Sequence, residues 1–262
     1  MRGGKNRQPL GYTIVEVMIV LAVSGVMFVI AAGFINGKQA RAAFTTGVNE
    51  MASTIQDTLD QVSDGKYSDI PLNCSFNGSQ TSITSGGSNQ QGTNATCVFL
   101  GKMIRWDVGA ADYTVYSLAG GRSTDFATGT TDITNLSAAD PRVITDLNTT
   151  GSVPQQLTVE KITIDSLTYT GSPPYDPVFG FLQSLGTSSG GALKTGGQTI
   201  GLYYMNLQQH TPIQSSVPLS IMPASTIDMC LTDDTRTAHI TIGSGNDSQQ
   251  AVNVRMTGNA PC

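Results

Sequence analysis

The longest apolar stretch of the chain lies close to its start. Residues 17–35 are 19 consecutive residues without a charged side chain, and no other stretch approaches this length and hydrophobicity. At a rise of about 1.5 Å per residue, a helix over this stretch spans about 28 Å, which is close to the hydrocarbon thickness of a bilayer. The pattern therefore predicts a transmembrane helix over about residues 14–35 and a chain that crosses the membrane once.

Beyond residue 35 the pattern changes, and single apolar residues recur at gaps of three and four. These residues are Phe44, Val48, Met51, Ile55, Leu59 and Val62. Such spacing places them on one side of an α-helix, and Ser63-Asp64-Gly65 then supplies a stop signal. We expect a stem over residues 36–64 that continues the first helix, which makes one helix about 75 Å long. Its apolar side is expected to be covered by the chain's own sheet rather than by a free coiled coil.

Residues 65–262 follow a different pattern, with short β-rich segments between polar tracts, and we expect them to form a globular head. The predicted strands lie within residues 96–106, 113–119, 156–170, 200–208, 237–243 and 251–256. The imperfect alternation of residues 156–170 is typical of two strands with a turn or bulge. The polar tracts 76–95, 120–152 and 171–199 are predicted to be surface loops. The expected fold class is α+β, a long N-terminal helix packed on an antiparallel sheet.

Charged residues are few and unevenly placed. The chain has 14 lysines and arginines and 19 aspartates and glutamates, a net charge of −5. Arg2, Lys5 and Arg7 lie in the first eleven residues, which contain no acid, so the remainder carries 11 basic residues against 19 acidic ones. An acidic body does not favour nucleic-acid binding through phosphates, and no such partner is predicted. The basic residues before the apolar stretch predict a cytoplasmic N-terminus and a head on the outer side of the membrane.

The four cysteines are Cys74, Cys97, Cys230 and Cys262. None forms a CxxC motif or has a histidine at zinc-ligand spacing, so a structural metal site is not indicated. An even number of widely spaced cysteines in an exported chain predicts two disulfides. Three pairings are possible, and we favour Cys74–Cys97 with Cys230–Cys262 because local loop closure costs the least entropy. Four free thiols are the alternative.

The order of polar and apolar residues at the N-terminus differs from that of an ordinary signal peptide. In a signal peptide the apolar region precedes the cleavage site, whereas here residues 1–11 are polar and the apolar run follows them. Glu16 lies at the edge of that run. A charge at the bilayer centre costs roughly 2.5–3.5 kcal/mol on insertion scales, and less towards the interface. Glu16 therefore needs either a partner or a position among the headgroups.

The segment LGYTIVEVMIVLAV, residues 10–23, resembles the cleavage and methylation segment of type IV pilins and type II secretion pseudopilins. The resemblance implies cleavage between Gly11 and Tyr12, N-methylation of Tyr12, and Glu16 as the fifth residue of the mature chain. In that family the carboxylate at this place pairs with the N-terminal amine of a neighbouring subunit. Two features depart from the family: Tyr12 replaces the commoner phenylalanine, and Gly33 stands where many pilins have a helix-disturbing proline.

By this resemblance the chain is expected to be a structural subunit, a minor or large pilin, of a type IV pilus-like filament. The alternatives are a pseudopilin of a type II secretion system and a pilus-borne adhesin or DNA-uptake subunit. The implied partners are other pilin subunits, the prepilin peptidase, the assembly platform of the inner membrane and the membrane itself. The implied location is the cytoplasmic membrane before assembly and the cell surface afterwards.

The head contains few residues in patterns that would carry enzymatic chemistry. The segment GTSSG, residues 186–190, places Ser188 in a G-x-S-x-G motif, but this motif needs a strand before it and a helix after it. The histidines available as bases are His210 and His239, each more simply a surface or strand residue. Asp233-Asp234 and residues 243–248 offer oxygen ligands to calcium, but solvated turns are the default for so few acids. We expect no enzyme and no cofactor.

Overall fold

The computed structural model describes residues 12–65, 71–76, 81–86, 97–109, 111–121, 136–137, 139–170, 175–183, 192–195, 198–208, 213, 219–243, 252–258 and 260–262. The chain divides into two compact units, Met1–Thr45 and Thr46–Cys262. This division falls inside the long N-terminal helix, whereas the sequence analysis placed the start of the head at residue 65. The last turns of the helix thus belong to the same unit as the strands.

The described part of the first unit is helical. Helix α1 spans Ile14–Ser63 and passes through Gly25 and Gly33 without interruption. Its segment Ile14–Ala31 has a mean hydropathy of 2.7, and none of that segment is buried. A helix of this length and composition is able to cross a bilayer. The long apolar N-terminal helix expected from the sequence is therefore present.

In the second unit, the end of α1 buries one side. Five of the predicted stripe residues are completely buried there: Val48, Met51, Ile55, Leu59 and Val62. Gly47 lets the helix approach the chain closely, since a Cβ atom at this position would lie 2.9 Å from Leu157 Cδ1. The helix ends where the sequence predicts, because Gly65 adopts a positive φ of 65° and donates its N–H to the Val62 carbonyl oxygen.

Fifteen strands follow α1 in the part of the chain that the structure describes. They are β1 (Leu72–Phe76), β2 (Thr81–Ser85), β3 (Cys97–Trp106), β4 (Asp112–Gly121), β5 (Arg142–Val143), β6 (Thr149–Ser152), β7 (Thr158–Ile164), β8 (Leu167–Thr170), β9 (Tyr175–Gln183), β10 (Ala192–Thr195), β11 (Gln198–Gln208), β12 (Met222–Pro223), β13 (Ile227–Thr232), β14 (Thr237–Ile242) and β15 (Val252–Gly258). Neighbouring strands pair in the antiparallel sense. The fold class is α+β, with a large share of strand.

The strands form three sheets rather than the one that was expected. β1 and β2 form a two-stranded sheet. The largest sheet has the order β10-β11-β9-β3-β4-β5, with β12 beside β11 and β6 beside β4. The third has the order β15-β14-β13-β7-β8. In it, β7 and β8 are the strand pair predicted within residues 156–170, joined by a turn in which Asp165 has a φ of 50°.

The end of α1 is bonded to the largest sheet by polar side chains. Lys102 Nζ on β3 donates to the Gln61 side-chain oxygen. Gln183 Nε2 at the end of β9 donates to the Val62 carbonyl oxygen over 3.5 Å. These bonds join the last turn of α1 to the largest sheet.

The prediction that the three polar tracts are loops was wrong, because each contains strand residues. β2 lies in residues 76–95, β5 and β6 in 120–152, and β9 and β10 in 171–199. β9 runs between β11 and β3, so it has a partner strand on both sides. The pairing of β3 with β9 stops at Val178, so the missing N–H of Pro177 interrupts no bond to β3, while on the other side Pro177 lies opposite Asn206 of β11.

A buried ion pair joins β3 and β9. Arg105 donates to the Asp176 carboxylate, and both side chains are almost inaccessible to solvent. Burial alone would lower the pKa of the Arg105 guanidinium, but its bond to Asp176 raises that pKa overall. Beside this pair, the Trp106 ring stacks on Phe179 with ring centroids 6.2 Å apart. Trp106 is therefore a core residue rather than an exposed stacking platform for a ligand.

Candidate functional site

The start of α1 has the geometry of a helix cap. The Glu16 backbone N–H donates to Thr13 Oγ1 over 3.3 Å, and the Val17 N–H donates to the Thr13 carbonyl oxygen. Thr13 is thus the N-cap residue, and Thr13-x-x-Glu16 has the spacing of a capping box. This role was not predicted from the sequence, although the T-x-x-E pattern before an apolar run was the signal for it.

The side chain of Glu16 stands in an apolar and exposed surface. Among residues 12–65, no group bonds its carboxylate, and the residue is exposed. Large apolar side chains around it are exposed as well: Tyr12, Ile14, Val15, Val17, Met18, Ile19 and Val20. Contiguous apolar surface of this extent marks contact with a membrane or with another protein. When the surface is covered, the Glu16 carboxylate has to be covered with it or lie at its edge.

The predicted processing residues lie on either side of the boundary of the described chain. Gly11 and the leader, residues 1–11, lie outside the described residues. Tyr12 lies just before α1 and is 82% exposed. Cleavage after Gly11 and methylation of Tyr12 therefore stay predictions, as does the assembly role of Glu16.

Comparisons with known proteins give no family for this chain. No family model, no curated protein and no solved structure matches it.

Both disulfides join the cysteines that local loop closure favoured. Cys74 on β1 is bonded to Cys97 on β3, with the two Cα atoms 5.6 Å apart. This bond lies in an apolar cluster with the residues Leu72, Ile83, Ala119 and Ile144. Cys230 on β13 is bonded to Cys262, with the two Cα atoms 5.8 Å apart. The second disulfide fastens residues 260–262 to the third sheet.

Of the residues considered for enzymatic chemistry, the structure describes His239. Ser188 and His210 lie outside the described residues. His239 lies on β14, as the strand interpretation expected, but it is not an isolated strand residue. Its ring contacts Asp228 on one side and Cys230 on the other. The sequence gives little sign of this cluster, because it depends on the register between β13 and β14.

The Asp233-Asp234 turn between β13 and β14 bonds its own backbone. The Asp233 carboxylate accepts the N–H groups of Thr235 and Arg236, at 3.0 Å and 2.7 Å, and the Thr235 hydroxyl at 2.8 Å. Partial burial would raise the pKa of the Asp233 carboxyl, but these bonds and the nearby Arg236 charge lower it overall. Within the described residues no group of three or more histidine, cysteine or acidic side chains is placed to hold a metal ion.

A groove of about 590 Å³ lies beside this turn. Its walls include Thr158 and Glu160 of β7, Arg236 of the turn, and Ala260 and Pro261. The residues next to Cys262 therefore face an open space, which gives small molecules access to that end of the head.

Proposed function

We propose that the chain is a structural subunit of a type IV pilus-like filament, anchored in the membrane and then assembled through α1. The observation that carries the proposal is the Glu16 carboxylate, which has no partner among residues 12–65 and stands within an exposed apolar surface. In a plain anchor, the carboxylate would only add a desolvation penalty, unless it lay among the headgroups.

A filament core supplies the partner that Glu16 lacks. Cleavage after Gly11 would create a cationic amine on Tyr12, one turn from the carboxylate along the helix. In a bundle of such helices, the amine of one subunit lies near Glu16 of the next, and the two opposite charges attract strongly at low dielectric. Removing one partner from a buried pair is expected to cost about 3–5 kcal/mol, since the other charge stays buried without compensation.

Substitutions of Glu16 test this role in assembly. We expect Glu16→Ala to be cleaved normally but to yield at least about tenfold less filament, because the loss of one buried partner exceeds 1.4 kcal/mol. The measurement is the amount of the subunit in filaments sheared from cells, relative to the amount in membranes. Glu50→Ala is the matched control, since Glu50 is an exposed acid on the same helix.

Glu16→Gln separates charge from helix capping. Glutamine is as suitable as glutamate at this position of a capping box, so a pure capping role predicts filament yields like those of the unsubstituted protein. The docking role predicts that Glu16→Gln fails like Glu16→Ala, because the charge is lost. Normal filament yield from either variant would refute the proposal.

A further inference from the structure

The register of the third sheet brings a row of polar side chains to one face of the head. Cys230 pairs with Lys161 of β7 on one side and with His239 of β14 on the other. His239 in turn pairs with Arg255 of β15. Residues that pair across strands point to the same face. Cys230 therefore has the lysine on one side and the histidine on the other, and the arginine lies one strand beyond the histidine.

The orientation of the His239 ring is fixed by Asp228. The distance from His239 Nδ1 to Asp228 Oδ1 is 2.6 Å, and the Thr241 hydroxyl donates to the other carboxylate oxygen over 3.0 Å. With the carboxylate as the acceptor, the proton of this contact would be on Nδ1. The other ring nitrogen, Nε2, lies 3.6 Å from Cys230 Sγ.

The contact between His239 Nε2 and Cys230 Sγ is chemically favourable only when Cys230 is reduced or the imidazole ring is protonated. In the disulfide, Sγ carries no proton, and a neutral His239 offers it only a lone pair from Nε2. In the reduced protein the thiol proton can pass to Nε2, which leaves a thiolate beside an imidazolium whose charge Asp228 stabilises. A cysteine next to such a cation forms its thiolate at a lower pH than an ordinary cysteine.

We propose that Cys230, Cys262 and His239 form a thiol–disulfide exchange site for small thiols, with Asp228 as the residue that positions His239. The proposal does not depend on filament assembly. Cys230 is completely buried, whereas Cys262 is partly exposed and follows the groove residues Ala260 and Pro261. Cys262 is therefore the cysteine of the pair that an incoming thiol attacks.

The exchange proceeds in two steps. The incoming thiol loses its proton to solvent, and its thiolate attacks Cys262 Sγ. The bond between the two protein sulfurs breaks, and its electron pair stays on Cys230 Sγ, where His239 carrying a proton from solvent pairs with it. The thiolate of a second thiol molecule then attacks the sulfur of the first, the bond from that sulfur to Cys262 Sγ breaks, and the Cys262 thiolate takes a proton from solvent. Two thiols thereby become one disulfide, and the protein disulfide becomes two thiols.

The other disulfide provides a comparison within the same molecule. Cys74 and Cys97 are both almost fully buried, and their cluster consists of apolar residues. An attacking thiol therefore has poorer access there than at Cys262. We expect Cys230–Cys262 to open first.

The experiment uses the full chain in detergent micelles with dithiothreitol as the thiol. Samples are quenched with acid, alkylated and digested, and mass spectrometry then shows which cysteines have opened. At pH 7 we expect His239→Gln to slow opening of Cys230–Cys262 about tenfold. Without the imidazole, the pKa of the leaving Cys230 thiol is expected to be about two units higher. The logarithm of the exchange rate falls by about 0.5 for each unit by which that pKa rises. The rate at Cys74–Cys97 should not change, which also reports that the head is folded.

A spectroscopic measurement separates a chemical role of His239 from a structural one. After reduction, the ultraviolet absorbance of the Cys230 thiolate should appear about two pH units below the value of about 8.5 for an ordinary thiol. It should shift back in His239→Gln and partly back in Asp228→Asn. Arg255→Gln is the matched control, since it removes a neighbouring cation from the same row and keeps the imidazole.

Three results would overturn the proposal. The first is an unchanged opening rate in His239→Gln, and the second is an equal loss of rate in Arg255→Gln. The third needs no variant: reduced protein of the natural sequence that shows no thiolate absorbance below about pH 8. This last measurement decides the matter even if His239→Gln does not fold.

Discussion

The turn at Asp233 links a single carboxylate to the acid stability of the head. Because its pKa is lowered in the folded protein, Asp233 stabilises the fold at every pH above the ordinary aspartate pKa of about 3.9, and this contribution is lost as the pH falls through the lowered value. We expect Asp233→Asn to reduce the free energy of unfolding by about 1 kcal/mol at pH 7 and by much less near pH 2. Denaturant unfolding at the two pH values measures the difference.

Asp234→Asn is the matched control for this prediction. Asp234 is exposed and has a φ of 68°, a conformation that asparagine adopts readily. Its substitution should therefore leave stability at pH 7 unchanged or slightly raised. A loss in Asp234→Asn as large as that in Asp233→Asn, or a loss in Asp233→Asn that persists at low pH, would show that the hydrogen bonds to Asp233 are not the cause.

At the scale of residues, the sequence predicts what depends on neighbours along the chain. The pairing of Cys74 with Cys97 follows from their short separation along the chain, and the T-x-x-E spacing is the pattern of a helix cap at Thr13. The contacts of His239 with Asp228 and Cys230 depend on which residues of two strands lie opposite one another. A shift of one residue in that register would turn His239 to the other face of the sheet, and composition does not fix the register.

Gly180 on β9 shows how closely two central strands of the largest sheet approach. A Cβ atom at this position would overlap the Lys102 carbonyl oxygen and the Met103 Cα atom of β3. Both are backbone atoms that have no rotamer to relieve the overlap. We expect Gly180→Ala to lower the free energy of unfolding by about 3 kcal/mol, measured by denaturant unfolding in micelles.

Gly25→Ala provides the comparison for that measurement. A Cβ atom at Gly25 would meet no atom within 4 Å, and alanine favours a helix more than glycine does. The unfolding of the head should be unchanged in this variant. A loss below about 0.5 kcal/mol in Gly180→Ala, the range of ordinary surface substitutions, would mean that β3 and β9 can move apart without penalty.

At the scale of elements, one-sided burial is what made the stem predictable. Val48, Met51 and Ile55 recur at helical spacing because only one side of α1 is covered in the second unit. In β9, by contrast, Val178, Phe179, Phe181 and Leu182 are all completely buried. A strand that is covered on both faces shows no alternation, and the proline within it argues against a strand. The polar residues on either side then gave the tract the composition of a loop.

At the scale of the whole molecule, the two units differ in how far their apolar residues are exposed. In the first unit, the large apolar residues of the described range 12–30 are exposed, whereas in the second unit most large apolar residues of α1 and the described strands are buried. Apolar exposure of the first kind predicts a membrane or a helix bundle from the sequence alone. What the head binds is not encoded in a comparable pattern, because recognition depends on side chains that the fold brings together from distant strands.

We propose that the chain enters a filament after cleavage between Gly11 and Tyr12. The most direct test of this proposal is the intact mass of the protein in filaments sheared from cells that produce it. We predict the mass of residues 12–262 with two disulfides and one added methyl group, and a fragment spectrum that places the methyl group on the Tyr12 amine. Assembled protein that retains residues 1–11, or the absence of the protein from every sheared filament, would contradict the account.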